Sequence, residues 1–79
     1  MEYQIKNFEN DGDQKFVGFM VVNEGKRLAI DKRVALADGK TDEQYVQEAL
    51  ALAQAEIDEW AANQAVVGRK WNAETNSFE

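Results

Sequence analysis

Apolar and polar residues alternate over Tyr3-Gln4-Ile5-Lys6-Asn7 with the period of a half-buried strand, and Asn10-Asp11-Gly12-Asp13 then supplies turn chemistry. From Lys15 to Val22 the chain reads Lys-Phe-Val-Gly-Phe-Met-Val-Val, apolar at both parities. A strand of that kind needs a cover on each face, so it is expected at the centre of a sheet. Asn23-Glu24-Gly25 makes the next turn. Alternation resumes over Lys26 to Val34, placing Leu28, Ile30 and Val34 on one face and Arg27, Ala29, Asp31 and Arg33 on the other. A three-stranded antiparallel meander is the reading these turns and periods support.

The period changes after Asp38-Gly39. Thr41 is followed three residues later by Gln44, the spacing of a capping box, and Asp42 and Glu43 stand where the helix dipole favours acids. From Thr41 to about Asn63, Val46, Ala49, Leu50, Ala53, Ile57 and Trp60 recur at helical spacing and predict one amphipathic helix laid across the sheet. Glu48, Ala51, Ala55, Asp58 and Ala62 fall on the opposite side, with Tyr45 and Leu52 along one flank. The remaining segment, Val66 to Phe78, carries apolar residues at both ends of an Asn-Ala-Glu-Thr-Asn turn and reads as a last strand or a short hairpin. The expected fold is α+β in the order β-β-β-α-β, a single small domain over residues 1–79. Trp71 and Phe78 are the favoured cover for the second face of the central strand.

Composition sharpens this picture mainly by exclusion. A chain of 79 residues holds one core, and its hydrophobic and charged fractions of 44% and 30% are those of a globular domain. It has no Cys and no His, which removes thiolate nucleophiles, disulfides, and the commonest general base and metal ligand. The net charge of -6 argues against a phosphate-backbone binder. Charge is also unevenly spread: residues 14–40 hold six bases and three acids, whereas residues 41–64 hold six acids and no base. A polarised surface of this sort can orient a partner or steer its approach. No apolar run approaches a membrane span, and the first ten residues lack the pattern of a secretory leader, so a cytoplasmic or virion protein without membrane contact is expected.

Candidate chemistry is sparse. Asn10, Asp11 and Asp13 resemble a fragment of a calcium loop, but Lys15 and an apolar strand follow where further oxygen ligands would be needed, so the segment reads as a solvated turn. Asp42, Glu48, Glu56, Asp58 and Glu59 lie along one solvated helix, which leaves carboxylates ordinary. Ser77, the sole serine, has no base to activate it. No catalytic residue, metal ligand or cofactor site is expected, and the chain reads as a non-enzyme. Lys26, Arg27, Lys32 and Arg33 form the one basic cluster, and strand alternation splits it between two faces.

The expected function is therefore that of a non-catalytic protein-protein interaction module. Its anticipated contact residues are Tyr45, Glu48, Leu52, Glu56 and Glu59 on the helix, with Arg27 and Arg33 as a second patch. The partner is a second copy of the chain or a host protein; a nucleic-acid-facing or DNA-mimicking regulator is the alternative. Val67-Gly68-Arg69-Lys70-Trp71-Asn72-Ala73-Glu74-Thr75-Asn76-Ser77-Phe78 resembles the closing segment of many small phage proteins encoded near tail genes. More distantly, strands followed by an acidic, Ala- and Leu-rich helix and a returning strand are similar to small phage inhibitors of host RNA polymerase. These resemblances imply a phage-encoded protein, either tail-associated or inhibitory, and carry no residue roles with them.

Overall fold

Two tight turns build the sheet. The computed structural model describes residues 1–79, and its first three elements are the strands β1 (Glu2–Asp11), β2 (Gln14–Asn23) and β3 (Lys26–Ala35), antiparallel and adjacent in chain order. Gly12, at φ 63, opens the two-residue turn between β1 and β2, a position that favours glycine. Between β2 and β3 both turn residues are left-handed, Glu24 at φ 51 and Gly25 at φ 79, as a type I′ hairpin demands.

Strand β1 is longer than its alternation suggests because it contains a bulge. Ile5 pairs with Phe19 and Asn7 with Gly18, so Lys6 is the extra residue. The insertion re-phases the strand: Tyr3 and Ile5 share a face with Phe8, although their spacing in the sequence breaks period two.

Helix α1 (Asp42–Gln64) crosses β2 and β3 and meets β1 at its far end, where the Tyr45 ring packs on Phe8. Its 23 residues at about 1.5 Å each give ~34 Å, which matches ten-residue strands at about 3.4 Å per residue. Val17, Phe19 and Val21 of β2, Ile30 and Val34 of β3, and Tyr45, Ala49, Ala53 and Ile57 of the helix form the buried core. Ala49 and Ala53, fully buried, let the helix backbone lie close to the sheet. Tyr3 and Ile5, on the same side of the sheet but beyond the helix, stay exposed.

The capping box is formed as expected. Thr41 Oγ1 accepts from the Gln44 N–H at 3.2 Å, and Gln44 Oε1 accepts from the Thr41 N–H at 2.8 Å. Thr41→Ala is expected to destabilise the fold by about 1 kcal/mol and to lower Tm by about 5 °C. Thermal unfolding followed by circular dichroism checks this, and an unchanged Tm would show that the cap contributes nothing.

Beyond the helix, β4 (Trp71–Asn72) and β5 (Ser77–Phe78) pair only with each other. Neither packs against the three-stranded sheet or the helix. The expectation that Trp71 and Phe78 cover the second face of β2 is thus corrected: the turn at Asn72 to Asn76 folds the tail back on itself, and that sheet face is left open. The projecting hairpin makes the molecule long, 60 × 21 × 16 Å, with a radius of gyration of 17.0 Å against about 12 Å for a compact chain of this length.

Candidate interaction surfaces

Three surfaces remain outside the core: the helix flank, the open sheet face and the hairpin. On the flank, Glu48, Leu52, Glu56 and Glu59 are exposed. Glu48 is held by Lys40, and Glu56 by Lys32 of β3. Both ion pairs draw the flank towards the outer edge of β3, and both carboxylates remain half-exposed. Leu52, between them in the chain, is 58% exposed.

Tyr45 is placed differently from the sequence expectation. It is 6% exposed and belongs to the core rather than to the flank. Its hydroxyl donates to the Ala37 carbonyl and accepts from the Ala37 N–H, both at 3.1 Å. Its ring meets Phe8 edge-on at 6.4 Å and lies under the Lys15 and Lys40 ammonium groups, at 5.1 and 4.9 Å. One turn into the helix, where α1 leaves the loop, the inward direction takes in Tyr45 together with Ala49. A tyrosine at that level reaches past the end of β3 and ties down the loop backbone.

Strand pairing sorts the open sheet face into three parallel columns. The centre holds Phe16, Gly18, Met20 and Val22 of β2, of which Phe16, Met20 and Val22 are half-buried. Glu2, Gln4, Asn7, Glu9 and Asp11 of β1 line one side, and Arg27, Ala29, Asp31, Arg33 and Ala35 of β3 the other. Arg27 and Arg33 are therefore exposed on the face opposite the helix, while Lys26 and Lys32 point to the helix side. Arg33 lies 4.9 Å from the Phe16 ring and pairs with Asp11 across β2 at 2.9 Å. Asn7 and Asp31 close over Gly18, so that a Cβ there would stand 2.8 Å from Asn7 Nδ2 and 2.9 Å from Asp31 Oδ1. A nucleic-acid strand laid along the two arginines would meet Glu2, Glu9, Asp11 and Asp31 on the same surface.

The hairpin is small but internally well tied. Trp71 and Phe78 meet edge-to-face at 5.3 Å, and the Arg69 guanidinium stacks on Phe78 at 4.0 Å. Asn72 Oδ1 accepts from the Glu74 and Thr75 N–H groups, an Asx turn that closes the loop, and Asn76 takes φ 55. Glu79 donates its N–H to the Lys70 carbonyl at 3.0 Å. Even so, Trp71 stays 55% and Phe78 40% exposed, and Val66 and Val67 add exposed apolar surface at its base. Sequence reasoning noted these residues as cover for the sheet and missed them as a surface. The signal for the alternative was present in the Asn-rich turn between the two aromatics.

No three carboxylates stand close enough together to hold a metal ion, and no helix is long and apolar enough to cross a membrane. No protein-family model matches the chain, and neither a curated protein nor a solved structure matches it.

Proposed function

We propose that this chain is a non-catalytic protein-interaction module that engages a protein partner through its C-terminal hairpin. One observation carries the reading: an edge-to-face Trp71–Phe78 pair, held by a closed turn, projects from the body with both rings exposed. Tryptophan is enriched at the energetic centres of protein interfaces, and a pre-ordered anchor loses little freedom on binding. Arg69, stacked on Phe78, and Lys70, Glu74 and Glu79 near the pair in the chain give the hairpin mixed charge, which suits the polar rim of such a contact. The resemblance of Val67 to Phe78 to the closing segments of phage proteins supports a phage-encoded role, in or beside a virion tail or against a host protein.

The test is affinity capture with the full chain from an extract of the cells that produce it, with cross-linking and quantitative mass spectrometry. Proteins enriched by the wild-type chain are expected to fall about 30-fold with Trp71→Ser combined with Phe78→Ser, the loss of a hot-spot pair. Circular dichroism and Tm of the body should not change, because the hairpin does not pack on it. Undiminished enrichment by the double variant, or no enrichment by the wild type, would overturn the assignment.

A further inference from the structure

We infer that the open face of the three-stranded sheet is the seat of a second copy of this chain, related by a two-fold axis that runs parallel to the strands. This surface is separate from the hairpin, so the inference does not depend on the reading above.

The face has an apolar centre and charged margins of opposite sign. Phe16, Met20 and Val22 run down the middle. Among its paired residues the β1 margin carries Glu2, Glu9 and Asp11 and no base, Lys6 standing unpaired at the bulge; the β3 margin carries Arg27 and Arg33, with Asp31 between them. An apolar core with a polar rim is the anatomy of a protein interface.

Symmetry then selects the partner. Turning one copy over about an axis along β2 keeps each row at its level and exchanges the outer strands, so that β1 of each copy lies over β3 of the other. In the row of Val22, Glu2 pairs with β2 opposite Arg27; in the row of Phe16, Glu9 stands opposite Arg33; in the row of Gly18, Asn7 stands opposite Asp31. After the rotation Glu2 and Glu9 face Arg27 and Arg33 of the other copy, Asp11 lies opposite Ala35 one row beyond Arg33, and the Asn7 amide faces the Asp31 carboxylate. Each contact occurs twice. Phe16 and Met20 meet their own counterparts on the axis. A two-fold axis across the strands would instead lay acids on acids and arginines on arginines, which is repulsive. Packed sheets turn by about 30°, an offset that Glu and Arg side chains can span, so the match is between margins rather than between single atoms.

The size is sufficient. Three ten-residue strands at about 3.4 Å per residue and ~4.8 Å apart present about 500 Å² on each copy. The pair would bury about 1,000 Å² in all, the threshold for a specific contact, so a dimer that dissociates on dilution is expected. The Arg33–Asp11 pair within one chain does not block it: the side chains are 52% and 56% exposed, and such surface pairs exchange partners at little cost.

Sedimentation equilibrium over a range of concentrations provides the test. The wild-type chain should approach twice the monomer mass as concentration rises. Arg27→Glu with Arg33→Glu makes both margins acidic, and Glu2→Arg with Glu9→Arg makes both more basic; each variant alone should dissociate about 100-fold more readily. Mixed in equal amounts, the two variants should recover the dimer mass, a result that misfolding could not produce. A wild-type chain that stays monomeric throughout, a dimer indifferent to both charge reversals, or a mixture that fails to recover would each overturn the inference.

Discussion

Phe19→Ala is expected to leave the chain unfolded at 25 °C, with loss of the far-UV circular dichroism of both sheet and helix. Phe19 is 2% exposed at the middle of β2, paired in register with Ile5 on one side and Ile30 on the other, beneath the helix. Removing a buried phenylalanine ring costs about 3–5 kcal/mol, because the transfer term and the cavity left behind add. The core has only nine buried residues, and a chain of this size without disulfide or metal gains about 3–5 kcal/mol from one core. The two figures are equal, so this single substitution removes the whole margin. Phe16→Ala is the control. Phe16 occupies the same strand but the open face, where it is half-buried beneath Arg33, and its loss should leave a cooperative unfolding transition. A folded Phe19→Ala chain with a urea midpoint near wild type would mean that the stability resides elsewhere than in the layer between helix and sheet.

That layer was legible in the sequence where a regular period met a well-defined cap or turn. The helix has both, a six-residue apolar stripe and the Thr41–Gln44 box, and its observed span of Asp42–Gln64 lies within a residue of the expected one. Strand β3 sorts its residues as its alternation predicts. The alternation of strand β1 carries only as far as Asn7, because apolar positions shift from Tyr3 and Ile5 to Phe8; the bulge at Lys6 supplies the missing register step, and nothing local to that segment announces it. This hid the acidic margin of the open face, since Glu9 and Asp11 become neighbours of Phe16 and Gln14 only once the strand continues past the bulge.

The tail takes the short-hairpin form, one of the two expected of it, and only the expected packing of Trp71 and Phe78 on the sheet is not met. Apolar ends around a polar turn state that two segments pair, but not whether they pair with each other or add to a sheet already formed. Asn72 decides it by accepting two backbone N–H groups and closing the loop locally. The closed hairpin satisfies its own backbone, and no strand is left to lay against β1 or β3. The sheet therefore keeps an open face and the aromatics project, and the two candidate interaction surfaces arise from this one local choice.

Tyr45→Ser should destabilise the protein by about 3 kcal/mol or more, and Leu52→Ser by no more than about 0.5 kcal/mol, though the two residues share a flank in a helical projection. The difference lies in what each side chain touches. Leu52 is 58% exposed and its removal opens no cavity. The Tyr45 ring fills the space between the helix, Phe8 and the end of β3, and two ammonium groups stand over it. Its hydroxyl both donates to and accepts from the backbone of Ala37, fixing the loop from which the helix starts. Tyr45→Phe isolates the second contribution: it keeps the ring and strands the part-buried Ala37 N–H, at about 1–2 kcal/mol. Urea unfolding of the three variants separates these terms. The expected order of stability is Leu52→Ser, then Tyr45→Phe, then Tyr45→Ser. If Tyr45→Ser matched Leu52→Ser, the ring would be a surface group after all, and the helix flank would regain the aromatic contact residue that burial takes from it.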